Sequence, residues 1–408
     1  MENITVQQAA EKWGGTPRRV QDLCRRGEIK GAILWHRSWM IPQNAEYPGR
    51  EKVTKDQDID LPIPRRTPFL YMSDLYRAPG TAEESIEQLS HHHEAKVLLA
   101  AEIAYSRGDI ERVYQNANYL PAKHSGFYAV ISGGMLLALC AIWRGDLDLW
   151  RRAKLHIFKA PVKNDLDREI VSFTITAVDC LLYDVNSFPE WFKIGNFELL
   201  PPDALPAAKI FYAKYLYASA YALATKQIKM DGVEGFALMA MLPNIIEPMI
   251  SQARADNSII CEIYLRMICA VVYHTIGNDA QAIRHIDRAI ALALPDALYG
   301  ILVEYCRLLW ALLEARICRI DPQVWEKVKS LYKTYSAGWS TLSGSVRGRR
   351  IITTLSPKER EVAKLAAFGM SNPEIAEKLH MSLPAVKQAI RITAEKSGAS
   401  RSEFATIL

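Results

Sequence analysis

The chain has 408 residues, 50% of them hydrophobic and 23% charged, a globular balance long enough for two or three domains and unlike a disordered chain. Its formal net charge is only +5, but residues 1–55 hold 10 Lys+Arg against 6 Asp+Glu and residues 347–408 hold 11 against 6, so two basic ends flank an acidic middle. The 7 cysteines form no C-x-x-C pair, the apolar run 134–143 is short of the ~20 residues of a membrane span, and MENITVQQAAEKW shows no secretory signal, so reduced thiols in a cytoplasm and no membrane partner are expected.

The first segment, ITVQQAAEKWGGTPRRVQDLCRRGEIKGAILWHRSWMIP, reads as helix, turn, helix and a two-stranded wing. Thr5 with Gln8 makes a capping box that opens the first helix, Ala9, Ala10 and Trp13 give its apolar face, and Gly14-Gly15 stop it. Thr16 caps the second helix and Pro17 takes its first position. Val20, Leu23 and Cys24 form the buried stripe, which leaves Arg18, Arg19, Gln21, Asp22, Arg25 and Arg26 outside. Arg18 and Arg19 fall in the first turn, where the helix dipole disfavours a cation by about 0.3–1 kcal/mol. Charges set against local stability point to function, and phosphates and guanine edges both accept from arginine. Ile33, Trp35, Trp39 and Ile41 alternate along the wing and Pro42 ends it.

Over residues 3–48 this stretch resembles the excisionase/MerR-type winged helix-turn-helix. The resemblance rests on Ile4-Thr5, Ala9-Ala10, Trp13, Arg19-Val20, Gly27, Ile29, Gly31-Ala32, Arg37-Ser38-Trp39 and Ile41-Pro42. It implies a second helix in the major groove and a wing on the backbone. Thr16, Arg18, Arg19, Gln21 and Arg25 would then face DNA, with Arg37 and Ser38 at the wing tip. His36 stands where that family often has glycine. The domain is assigned to residues 1–48.

Residues 49–68 are charged, proline-bearing and without apolar period, which reads as a linker. From 69 to 340 the chain is rich in helix formers. Apolar helices turn into amphipathic ones at Gly108-Asp109, Gly145-Asp146 and Gly277-Asn278-Asp279. Glycine supplies a left-handed stop and Asp or Asn caps the next helix. Helix pairs at a period in the thirties resemble tetratricopeptide-like repeats, interrupted over 183–206, and imply a surface that binds a small molecule, peptide or protein or pairs two copies. There is no phosphate-binding G-x-x-x-x-G-K-[ST], no H-E-x-x-H and no G-x-S-x-G, so no enzyme, cofactor or metal site is expected. His91-His92-His93 cannot converge on one ion from adjacent helical positions. Tyr212, Tyr215, Tyr217 and Tyr221 read as core and interface.

Residues 341–354 read as a second linker. Beyond it, Ser356-x-x-Glu359, Ser371-x-x-Glu374 and Ser382 open three helices. Val362, Leu365 and Ala366 stripe the first, Ile375, Ala376 and Leu379 the second, and Val386 and Ile390 the third, with Lys387, Gln388 and Arg391 outside. Lys387 and Arg391 are four apart and share a face.

Residues 354–405 resemble the LuxR-type (GerE-type) helix-turn-helix domain, assigned to 355–408. The carrying residues are Leu355-Ser356, Glu359-Arg360-Glu361-Val362, Leu365, Gly369, Ser371-Asn372, Glu374-Ile375-Ala376, Leu379, Ser382, Val386-Lys387, Lys396, Gly398 and Arg401. The resemblance makes 383–396 the recognition helix, with Lys387 on a phosphate and Ser382, Ala385, Gln388 and Arg391 beside it. Ala389, Thr393 and Ser397 depart from the family's usual His, Ile and Leu, which thins the apolar seam.

The expectation is therefore a mainly α, cytoplasmic, bacterial-type, homodimeric transcriptional regulator of double-stranded DNA. Its helical middle would sense a ligand or partner. The alternatives are a protein–protein adaptor with vestigial ends and a DNA-architectural accessory factor of a mobile element.

Overall fold

The computed structural model describes residues 3–13, 16–25, 29–35, 38–45, 76–91, 93–123, 126–184, 188–225, 234–347 and 355–404. The chain divides into two units, Met1–Pro62 and Ile63–Leu408, and is mainly α as expected. The expected linker 49–68 lies outside the described residues.

In the first unit the order is β1 (Asn3–Thr5), α1 (Val6–Trp13), α2 (Pro17–Arg25), β2 (Ile33–Trp35) and β3 (Ser38–Pro42). The Thr5 hydroxyl accepts from the Gln8 amide, and the Gln8 side chain accepts from the Thr5 amide at 2.9 Å, closing the expected capping box. The wing has a third strand that the sequence did not suggest. β1 pairs antiparallel with β3, Ile4 opposite Ile41, and β2 pairs with the other edge of β3, Leu34 opposite Trp39. The core is Ala9, Ala10, Val20, Cys24, Ile29 and Ile41. Ile33 belongs to the expected alternation yet is 53% exposed, because edge strand β2 reaches past this small core.

The second unit begins with α3 (Ala82–Glu87), α4 (His93–Arg107), α5 (Ile110–Lys123), α6 (Phe127–Arg144), α7 (Leu147–Phe158), α8 (Asp165–Cys180) and the short α9 (Glu190–Lys193). It continues with α10 (Leu205–Ala224), α11 (Gly235–Ala255), α12 (Ile259–Thr275), α13 (Asp279–Ala293), α14 (Tyr299–Ile320) and α15 (Pro322–Arg347). The three expected turns join α4 to α5, α6 to α7 and α12 to α13, with Gly108, Gly145 and Gly277 at φ +86°, +65° and +84°. Asp146 and Asn278 cap the helices that follow, each accepting from the backbone amide three residues on.

The array differs from an open solenoid, in which each repeat touches only its neighbours. Here α14 packs on α4 and α15 runs along α6, so the last helix pair returns to the first. Glycines inside these helices make the closure feasible. A Cβ on Gly338 would lie 2.2 Å from the Trp143 carbonyl oxygen, and one on Gly300 would lie 2.5 Å from that of Tyr105. A mid-helix glycine costs about 1 kcal/mol relative to alanine, which the close backbone approach offsets.

That packing corrects the second expected linker. Residues 341–347 are the last two turns of α15, with Leu342 and Ser343 buried. Small residues that suggested a linker serve close helix contact, and residues 348–354 lie outside the described set. The apolar run 134–143 is likewise part of a longer helix. α6 is long and apolar enough to cross a membrane by composition, but 83% of it is buried among its neighbours, as in a core helix.

The end of the unit is α16 (Pro357–Ala367), α17 (Asn372–Lys378) and α18 (Leu383–Ser397). Ser356 and Ser371 form full capping boxes with Glu359 and Glu374. Val362, Leu365, Ile375, Val386 and Phe404 pack into their own core.

Candidate nucleic-acid interface

The α17–α18 pair has helix-turn-helix form, with Leu379-His380-Met381 as the turn and His380 at φ +50°. Val386, Ala389 and Thr393 face inward along α18. Thr393 stands where the apolar seam is thin and satisfies its hydroxyl on the Ala389 carbonyl at 2.8 Å. The opposite face is open, and the helical period puts Pro384, Lys387, Gln388, Arg391 and Glu395 on it, all exposed. Arg391 donates to the Gln388 amide oxygen at 3.1 Å and to Glu395 Oε1 at 2.5 Å. Glu395 therefore holds the guanidinium that the sequence assigned to DNA.

Two expected contacts are less available. The Ser382 hydroxyl accepts from the Ala385 amide at 3.3 Å as the N-cap of α18, and Ala385 is half-buried. Arg401 acts as an internal brace, donating to Asn372 Oδ1 and the Met370 carbonyl.

In the first unit, Thr16, Arg18, Gln21, Arg25 and Ser38 are exposed. Arg18, Gln21 and Arg25 recur at i, i+3 and i+7, one stripe of α2. Asp22 joins it and ion-pairs with Arg25 at 3.1 Å, which lowers the stripe's net charge. The Arg19 side chain and all of Arg37 lie outside the described set.

The thin apolar seam of α18 leaves a domain that is either less stable alone or docked on the helical middle, and contacts of the second kind are present. α16 docks on the array through both apolar and charged groups. Phe368 packs against Tyr221 of α10 and Phe236 of α11, with ring centroids 5.2 and 4.9 Å apart. His274 at the end of α12 bridges Asp279 at 2.7 Å and Glu361 of α16 at 3.6 Å. Burial lowers the affinity of His274 for a proton, but its two carboxylate partners outweigh that and raise its pKa. Burial likewise works against the Glu361 carboxylate, yet Lys364, His274 and Lys378 hold its pKa at about 2. Lys364 is 5% exposed, and desolvation pushes its pKa down. No local spacing links these residues, and of the side chains at the seam only Tyr221 reads as core and interface in the sequence.

A second polar assembly lies inside the array. Glu304 accepts from Tyr105 and Tyr264 at 2.9 and 2.8 Å and pairs with Lys214 at 3.2 Å. Beside it is a cavity of about 40 Å³ lined by Tyr183, Lys214, Tyr217, Glu304, Tyr305 and Tyr335 among others. The Tyr305 hydroxyl is buried there with no hydrogen-bond partner. Tyr183 adopts φ +57°, a backbone conformation costly for a residue with a side chain.

A family model described as Sigma-70, region 4, matches residues 349–391. No curated protein and no solved structure matches the chain. The C-terminal segment is thus similar to a DNA-binding helix-turn-helix of the transcription machinery, and the matched stretch ends at Arg391 on the open face of α18.

Proposed function

We propose that this chain is a sequence-specific, DNA-binding transcriptional regulator in a bacterial-type cytoplasm. The observation that carries the reading is the exposed Lys387–Gln388–Arg391 stripe on the second helix of the matched helix-turn-helix. Lysine fits a phosphate, and an amide beside a guanidinium fits base edges in the major groove. In this reading DNA displaces the Arg391–Glu395 contact. The excisionase/MerR-type reading of residues 1–48 supplies a second DNA contact through the α2 stripe. The finer LuxR-type reading of the C-terminus implies action in pairs, so a homodimer on a two-fold site is the expected assembly. The helical middle is the part that would sense a ligand or partner.

The test is enrichment of genomic fragments by the full-length protein. It is repeated with Lys387→Ala/Arg391→Ala and with Arg18→Ala/Arg25→Ala. Enriched sites lost in the first variant support the reading. Folded wild-type protein that enriches no fragment at low salt favours an adaptor built on the helical array.

A further inference from the structure

Three successive helices of the array bring a carboxylate, a thiol and an imidazole together. Glu247 of α11, Cys269 of α12 and His285 of α13 each place a ligand atom within 4.8 Å of the other two. We propose that this cluster is a binding site for one zinc-class divalent cation. The donor set suits that choice, because thiolate and imidazole select borderline-soft ions over magnesium or calcium.

The surroundings resemble a prepared site. His285 is 8% exposed, and its Nδ1 is buried with no hydrogen-bond partner. Its Nε2 lies 3.7 Å from Glu247 Oε1. Tyr273 holds both ligands in place. Its hydroxyl donates to Glu247 Oε1 at 2.6 Å, and its ring stacks on His285 at 5.6 Å. Such outer contacts orient metal ligands. In a tetrahedral zinc site neighbouring ligand atoms stand about 3.3–3.5 Å apart, so modest side-chain rotations close the observed spacing. Glu247 opens onto a shallow groove with Asn244, Ser251 and Gln252, which gives the ion an entry path and water a fourth position.

Binding is an exchange. The cation forms a bond to Cys269 Sγ, the S–H bond breaks, and the proton leaves to water. Cys269 is fully buried, so an ion must displace its proton to take the sulfur. Two of these helices also touch the C-terminal helices, through Phe236 and His274, and Asp279 of the third holds His274. A bound ion would tie that platform together.

Cobalt(II) titrated into chelator-treated full-length protein tests the proposal. One equivalent should bind with a thiolate-to-cobalt charge-transfer band, and zinc should bleach it. Cys269→Ser should remove the band. Glu247→Gln, at a half-exposed position that leaves the core intact, should weaken binding at least tenfold and reduce the rise in Tm that zinc gives the wild type. Tyr273→Phe, a positioning change, should weaken binding about tenfold while keeping the band. No band at one equivalent in the wild type would overturn the assignment. So would a band unchanged in folded Cys269→Ser, or an unchanged affinity in Glu247→Gln.

Discussion

The two ends of this chain carry the same kind of exposed basic helix in different company. The α2 stripe belongs to a unit closed by its own three-stranded sheet and a core of six buried residues. The α18 stripe belongs to three helices with no sheet, whose first helix docks on the array through Glu361 and the Phe368 that follows it. A small unit that buries little apolar surface needs further support. At one end the sheet supplies it, and at the other the array does. The difference teaches that an event in the array has a physical route to α18 through α16, by way of the His274–Glu361 and Phe368 contacts.

The largest effect that would break the comparison concerns DNA. Lys387→Ala/Arg391→Ala should reduce affinity for an enriched site by about tenfold or more, while Arg18→Ala/Arg25→Ala should reduce it less, because Asp22 already offsets Arg25. Competition binding on one site ranks the two, and equal losses would make the ends equivalent.

Next comes the seam. Phe368→Ala removes two aromatic contacts, at about 0.5–1.5 kcal/mol each beyond lost area, so about 1–3 kcal/mol in all. Hydrogen exchange should accelerate in α16 and leave α1 and α2 unchanged. Uniform protection in the variant would show that the C-terminal helices stand alone.

The ionic part of the seam sharpens the comparison through pH. The pKa of His274 in the folded protein is raised, so its contribution is fully present below its ordinary value of 6.5 and is lost as pH rises through the folded value. Glu361 is depressed, so its contribution is present above 4.5 and is lost as pH falls toward about 2. Protection of α16 should therefore fall as pH rises above 6.5 through the raised value of His274. His274→Gln should flatten that dependence, while the first unit shows none of it.

The smallest effect is local. His380 sits at φ +50° in the turn, a strain of about 1–2 kcal/mol that glycine relieves, against about 0.5–1 kcal/mol of added chain entropy. His380→Gly should raise Tm slightly, and a drop would mean that the imidazole makes a contact of its own.

Much of this was readable in one dimension where the signal is local. Ser356, Ser371 and Ser382 marked three helix starts, and the Gly-Asp and Gly-Asn turns marked three helix pairs, because caps and left-handed stops are made by neighbours in sequence. What was missed depends on partners far along the chain. Residues 341–347 read as linker but close α15, with Leu342 and Ser343 buried, since small residues have the same composition in a linker and in a packed helix end. Asn3–Thr5 is too short for a strand signal without Met40–Pro42 opposite it. Glu361 finds its partner His274 at the end of α12, which no local spacing links to it. Glu247, Cys269 and His285 have no ligand spacing, because each comes from a different helix.

The most direct test of the central claim is the salt dependence of binding to one enriched duplex, wild type against Lys387→Ala/Arg391→Ala. If α18 docks in the groove, the logarithmic salt slope of the variant should be shallower by about 1, for the lost Lys387 phosphate contact, and the affinity should fall further with the loss of Arg391 from the base edges. An unchanged slope and affinity in the folded variant would contradict the account and move the DNA contact away from α18.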